Sequence, residues 1–239
     1  MKILALDSSG LVASVAIITD DKMTAEYTVN YKKTHSQTLL PMLDEITKMV
    51  DLDLKEIDAI AVAAGPGSFT GLRIGSATAK GLALALAKSI INIPTVDGLA
   101  YNLFATDKLI CPIMDAKRNQ VYTGLYEFCG EEFKVIVKQK AVSIEDILDE
   151  IEAMNREVIF LGDGVDVYKQ IVCEKLKDKC FFAPPHLSKQ RAGSIGALAG
   201  IYYEKGLIIN SEDHQPEYLR LSQAERELAL KNKKGDKHE

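Results

Sequence analysis

The sequence predicts an α/β protein of two similar lobes, each a mixed sheet flanked by helices. Three observations lead there. Apolar, strand-like runs alternate with helical periodicities along the 239 residues, the pattern of helices layered on sheets. A β-β-β-α-β-α-β order over residues 1–97 partly recurs, at lower contrast, after residue 108. A strand–helix–strand step with short joints also calls for parallel pairing through a right-handed crossover, beside strands joined by tight turns that must pair antiparallel.

The elements follow in order. Residues 2–6 form a continuous apolar run, as expected of a strand buried on both faces. Asp7-Ser8-Ser9-Gly10 turns the chain into a second strand, 11–18, and Thr19-Asp20-Asp21-Lys22 into a third, 24–30. Thr34-His35-Ser36-Gln37 has the form of a capping box. Leu39, Leu43, Ile46 and Val50 then recur at helical spacing. Pro41 conflicts with an early start, so the helix either begins near Thr38 or is kinked at Pro41. A strand at 58–64 enters a glycine-rich loop, a helix covers 72–88, and a strand covers 91–96. In the second half, strands are expected at 109–114, 121–128 and 133–141, a helix from Ser143 to Met154, and a strand at 158–161. A helix to about residue 175, a last strand at 180–183 and a small-residue helix at 193–205 complete it. The division expected is 1–98 for the first lobe, 99–210 for a shorter second lobe and 211–239 for a C-terminal segment. Within that segment, residues 207–221 read as anchored coil, and the charged tail from Ala224 as disordered.

Composition narrows the function. Hydrophobic residues make up 47% and charged residues 26%, enough for a core without disulfides or metal. The four cysteines, Cys111, Cys129, Cys173 and Cys180, contain no Cys-x-x-Cys pair. They read as free thiols in a reducing cytosol. A net charge of −5 argues against a strong, sequence-independent grip on nucleic acid. The N-terminal apolar run is too short for a signal peptide, and no stretch approaches the roughly 20 apolar residues of a membrane helix. A cytoplasmic protein is expected.

The run Gly65-Pro66-Gly67-Ser68-Phe69-Thr70-Gly71-Leu72-Arg73-Ile74-Gly75 is the most distinctive motif. As physics it has two readings: amides at a helix start that hold a phosphate, or a tight strand-to-helix turn whose glycines allow close packing. It lacks the lysine and Ser/Thr of a P-loop, the spacing of a Rossmann fingerprint, and the Gly-x-Ser-x-Gly of a hydrolase elbow. Asp7 and Asp115 each end the first strand of a lobe, and each also reads as a plain turn residue.

As a family signature the run is specific. Together with Ile3-Leu4-Ala5-Leu6-Asp7-Ser8-Ser9, His35-Ser36-Gln37-Thr38-Leu39-Leu40-Pro41, Ala79-Lys80-Gly81-Leu82-Ala83 and Pro216-Glu217-Tyr218-Leu219-Arg220, it resembles the TsaB (YeaZ) family. These are accessory proteins of bacterial tRNA threonylcarbamoyladenosine synthesis and relatives of the catalytic subunit TsaD. The likeness is dense over residues 1–100 and thin over 101–210. It implies an actin-like fold of two ribonuclease-H-like lobes. It also implies a non-catalytic subunit that activates TsaD beside TsaE and the threonylcarbamoyl-adenylate synthase, touching tRNA only indirectly. TsaD-type enzymes hold metal with two histidines four apart on a helix; here His35 is followed at that spacing by Leu39. No metal and no cofactor of its own are expected, with weak or interfacial ATP or ADP binding left open at Asp7, Gly67, Ser68 and Asp115. The partner surface expected is Ser36, Leu39, Leu43 and Ile46 on one helix with Arg73, Ala77, Lys80 and Leu84 on the next, where TsaD and a second copy would compete. The alternatives are a small-molecule kinase or ATPase of the same fold and a peptidase, the latter weakened by the missing metal ligands.

Overall fold

The computed structural model describes residues 1–31 and 34–220; the tail expected to be disordered lies outside them. The strands β1 (Lys2–Asp7), β2 (Val12–Thr19) and β3 (Lys22–Asn30) form a meander. Then come α1 (His35–Met49), β4 (Ala59–Gly65), α2 (Phe69–Leu86), β5 (Ser89–Pro94) and a short α3 (Thr95–Ala100). The second half gives β6 (Leu109–Asp115), β7 (Gln120–Cys129), β8 (Glu132–Ser143), α4 (Ile144–Met154), β9 (Val158–Leu161), α5 (Gly164–Leu176), β10 (Cys180–Phe182) and α6 (Ala192–Glu204).

Two five-stranded sheets result, ordered β3-β2-β1-β4-β5 and β10-β9-β6-β7-β8. In each, the meander is antiparallel and the strand beyond the crossover helix pairs parallel with the first strand, Ile3 beside Ala59 and Leu109 beside Val158. The repeat read in the sequence is therefore a repeat of topology. β4, and β1 between Lys2 and Asp7, are apolar throughout because both faces of the first sheet are covered. Leu39, Met42, Leu43 and Ile46 of α1 and Ala79 and Ala83 of α2 pack on one face. Ile195, Leu198 and Ala199 of α6 pack on the other. In the second sheet α4 and α5 cover one face and α3 the other. Although α6 comes late in the chain, it lies on the first sheet and against α3, so the two helices form the layer between the lobes.

Of the two readings left open for α1, the structure takes the early start, at His35, with the helix running through Pro41. A proline there removes one backbone bond, but the buried stripe from Leu39 to Ile46 spans it, and tertiary burial outweighs the local cost. Three other local expectations need correction. Thr34 is the N-cap, yet its side chain makes no capping bond; only its carbonyl accepts from the Gln37 amide, at 2.9 Å. α2 begins at Phe69, three residues early, because Ser68 caps it by accepting from the Gly71 amide at 3.3 Å. Finally, the strand expected to reach 96 stops at Pro94, and Thr95 opens α3. Every residue of α3 is buried, so no amphipathic pattern marks it in the sequence. The Thr95 hydroxyl accepts from the Gly65 amide at 3.1 Å, tying α3 to the end of β4.

Leu198, 2% exposed, fills the space between α6 and the first sheet. Leu198→Ala is expected to lower the unfolding free energy by about 2–5 kcal/mol, measured by urea denaturation.

Candidate functional site

The strand ends and turns gather at one end of the molecule. There the β1–β2 turn, the loop before α2 and the β6–β7 turn line a cleft of about 450 Å³. Gly67, Ser68 and Asp115 lie on its walls with His35, Lys117 and Asp163. Asp7 does not line the cleft but lies behind Ser9, which does: it is 1% exposed, and its carboxylate accepts from the Ser9 amide at 2.9 Å and the Ser9 hydroxyl at 2.6 Å. Burial pushes its carboxyl up, against the pull of those Ser9 bonds. Burial also acts to raise Asp115, but Lys117 outweighs it, donating from its amide at 2.8 Å and its ammonium at 2.5 Å, so the net shift is downward. Asp163, raised by burial, accepts from the Asp115 amide at 3.1 Å. The His35 ring bonds the Gly10 carbonyl through Nε2 at 2.8 Å, and its buried Nδ1 has no partner among the described residues.

The glycine-rich run sits directly on the β1–β2 turn. The Ser68 amide donates to the Ser9 carbonyl at 2.7 Å, and the Ser8 hydroxyl to the Gly71 carbonyl at 2.9 Å. A Cβ on Gly71 would lie 2.0 Å from the Ser8 carbonyl oxygen, and one on Gly67 2.3 Å from that of Ser9. The geometry favours the close-packing reading of the motif, since the Ser68 and Gly71 amides already have partners.

The second gathering is on the outer face of α1 and α2. Ser36, Arg73, Ala77 and Leu84 are exposed there, Leu84 by 74%, and Lys80 is half-buried. Leu39, Leu43 and Ile46, expected on this surface, are instead 1–5% exposed in the core. The apolar periodicity of α1 marks its buried stripe, and the stripe flanking it carries Ser36 and Leu40, the latter 52% exposed. Leu40 was missed, though its offset from the 39–43–46 stripe is visible in the sequence.

A C-terminal strap joins the two regions. Ile209 pairs with Ile90, the Glu217 amide donates to the Ala64 carbonyl at 2.7 Å, and the Lys80 ammonium reaches the Glu212 carbonyl at 3.4 Å. Gly65 has φ +123°, and a Cβ there would meet the Glu217 carbonyl oxygen at 2.2 Å. The Tyr218 ring stacks on Phe69 at 4.1 Å, and its hydroxyl accepts from Arg73 Nε at 3.3 Å. Arg220 then donates to the Ala116 carbonyl at the cleft wall. Among the described residues, no group of three His, Cys, Asp or Glu side chains is placed to hold a metal. No described helix is long and apolar enough to cross a membrane.

Two ribonuclease-H-like lobes meeting at a cleft, with a strap closing back on both, define a protein of the actin-like α/β fold. The profile of the TsaD family, tRNA N6-adenosine threonylcarbamoyltransferase, matches residues 22–228. The tRNA threonylcarbamoyladenosine biosynthesis protein TsaB of Bacillus subtilis is 34% identical over 94% of this chain and 96% of its own length. That of Haemophilus influenzae is 29% identical over 92% and 94%. The chain belongs to the TsaB (YeaZ) family. The crystal structure of an uncharacterized Pseudomonas aeruginosa protein similar to the peptidase YeaZ superposes with a TM-score of 0.79, at 26% identity over 92% of this chain and 99% of that one.

Two buried groups outside the cleft lining have opposite pH signatures. His214, on the strap, bonds Asn92 at 2.6 Å; burial, aided by Lys80, holds its imidazole down to about 4, from 6.5. Asp97 of α3 accepts from the Tyr126 hydroxyl at 2.7 Å, and burial raises its carboxyl from 3.8 to about 6. Between pH 6.5 and 4 the unfolded chain binds more protons at His214, so this group removes stability as pH falls. Between pH 3.8 and 6 the folded chain binds more at Asp97, so that group removes stability as pH rises. Asp97→Asn is therefore expected to lose more stability than the parent on acidification across this window, and His214→Gln less. Urea midpoints followed across that window check this; equal slopes in all three chains would contradict it.

Proposed function

We propose that this chain is a non-catalytic accessory subunit of tRNA threonylcarbamoyladenosine biosynthesis. It binds TsaD through the outer face of α1 and α2 and holds it competent to transfer threonylcarbamoyl to the adenosine beside the anticodon. The observation that carries the reading is Leu84, exposed by 74%, beside exposed Ala77 and Gly81 on a helix whose opposite side is buried. Leu40 extends the apolar surface on the neighbouring helix. Small residues let a partner helix approach closely, and large apolar side chains left in water ask for cover. A second copy of the chain would use the same face, so homodimer and heterodimer exclude each other. TsaE and the threonylcarbamoyl-adenylate synthase complete the pathway, and the work takes place in the cytoplasm.

Independent catalysis has little support. Asp7 is held by Ser9, and Leu39, which stands where a second metal-binding histidine would be, is a core residue. A nucleotide in the cleft would face Ser68 and Lys117 and is proposed only as a weak ligand or one completed by the partner.

The test is reconstitution with TsaD from the same organism, TsaE, the adenylate synthase, threonine, bicarbonate, ATP and unmodified tRNA. Product is expected to depend on the chain. Ala77→Glu and Leu84→Glu are each expected to reduce it by roughly tenfold or more, because a charge left unpaired in an apolar contact costs more than about 1.4 kcal/mol. Both substitutions lie on the surface, so circular dichroism of the variants should match the parent. Equal product without the chain would overturn the proposal, and sustained phosphate release from ATP by the pure chain would favour the kinase alternative.

A further inference from the structure

The cysteines carry no pairing motif in the sequence, yet the fold brings two of them together. Cys173 lies in the last turn of α5 and Cys180 opens β10, with their sulfurs 3.9 Å apart. Between them the chain reverses through Lys177, a non-glycine residue at φ 51° and ψ −119°. Cys173 is exposed, and the Cys180 thiol, partly covered, sits 3.2 Å from the Lys177 carbonyl. The other two thiols differ. Cys111 is fully buried beside Thr123, where burial pushes it up to about 12. Cys129 is exposed on β7, 3.7 Å from Glu127.

We infer that Cys173 and Cys180 form a dithiol modification site that reacts with a low-molecular-weight disulfide and closes to an intramolecular disulfide at the α5–β10 corner. Two thiols at contact distance in a turn need side-chain rotation to reach the bonded separation of about 2.05 Å, not a rearrangement of the sheet. The order of attack follows from exposure. Cys173, as thiolate, attacks one sulfur of the small disulfide, forming a mixed disulfide and releasing one thiolate. Cys180 then attacks the Cys173 sulfur. Its proton passes to the second leaving thiolate, so two protein thiols are oxidised and one small disulfide is reduced to two thiols. Burial and the neighbouring Cys173 thiol raise Cys180 to about 11, which suits it to the second, intramolecular attack rather than the first. The corner lies on the second lobe, on elements separate from α1 and α2, so the site is independent of the accessory role proposed above.

The full chain is incubated with oxidised glutathione, alkylated under denaturing conditions and cleaved with trypsin, which cuts after Lys175, Lys177 and Lys179. Peptides 170–175 and 180–189 then stay together only through a disulfide. The expected result is that most of the chain yields this linked pair, lighter than the two free peptides by two hydrogen atoms and lost on reduction with dithiothreitol. Cys180→Ser is expected to trap glutathione on Cys173, whereas Cys173→Ser should leave Cys180 largely unmodified. Separate glutathione adducts on Cys173 and Cys180 in the parent, or reaction confined to Cys129, would overturn the inference.

Discussion

The contact on which the rest depends is the seating of the β1–β2 turn against the start of α2. It is a backbone-to-backbone contact, and Gly67 and Gly71 allow it. With a Cβ 2.0 Å from the Ser8 carbonyl oxygen at Gly71, any side chain would push α2 off the end of β1. Ser8 and Ser9 reinforce the seat from the other side, one through its hydroxyl and the other through its carbonyl. The position of α2 on the sheet, the half of the cleft beside it and the outward direction of Ala77 and Leu84 all follow from this one approach. A motif that looks like a phosphate cradle thus serves as a structural seat, with its Ser68 and Gly71 amides turned to the protein's own oxygens.

The two lobes treat their helix pairs differently. In the second lobe α4 and α5 are joined by charge: Lys175 reaches Asp149 and Glu152 on the neighbouring helix. The first-lobe pair presents Leu40, Ala77, Gly81 and Leu84 instead. Ion pairs at an exposed helix pair contribute little stability, but they suit a surface that stays in water, whereas an apolar stripe suits one that is covered. Both pairs leave apolar side chains in water, Val167 and Ile171 on α5 and Leu84 on α2, so the duplicated topology differs between the lobes in the ion pairs that join α4 to α5.

How much was legible follows from what makes each feature local or distant. The strand runs at 2–6, 58–64 and 109–114 declare themselves, since a strand buried on both faces needs an unbroken apolar run. α3 did not, because a helix buried all round has no periodic contrast. The helical stripe through Leu39, Leu43 and Ile46 is legible as a covered face, but periodicity alone does not say what covers it, and the sheet of the same chain does so rather than a partner. The pairs Asp97–Tyr126 and His214–Asn92 join residues 29 and 122 positions apart, beyond the reach of any local pattern. Gly65 was read with its neighbours as one loop, although its partner is Glu217, far along the chain.

That last contact gives the strap its meaning. A coil with no regular hydrogen-bond ladder holds its place only by discrete anchors. Here they fall in sequence along β5, the end of β4, the first turn of α2 and the wall of the cleft. Arg73 lies over the Phe69 ring at 5.1 Å while bonding Tyr218, so the cation, the two rings and the helix start form one cluster. Because the strap continues from this cluster to Ala116 in the second lobe, the start of α2 is tied to both lobes at once. A partner docked on α2 therefore meets a helix whose first turn is fixed from beneath by the Ser8–Ser9 turn and from the side by Tyr218. Rigidity at such a surface lowers the ordering cost of association, and part of it comes from Ser8 and Ser9, which are buried beneath the helix.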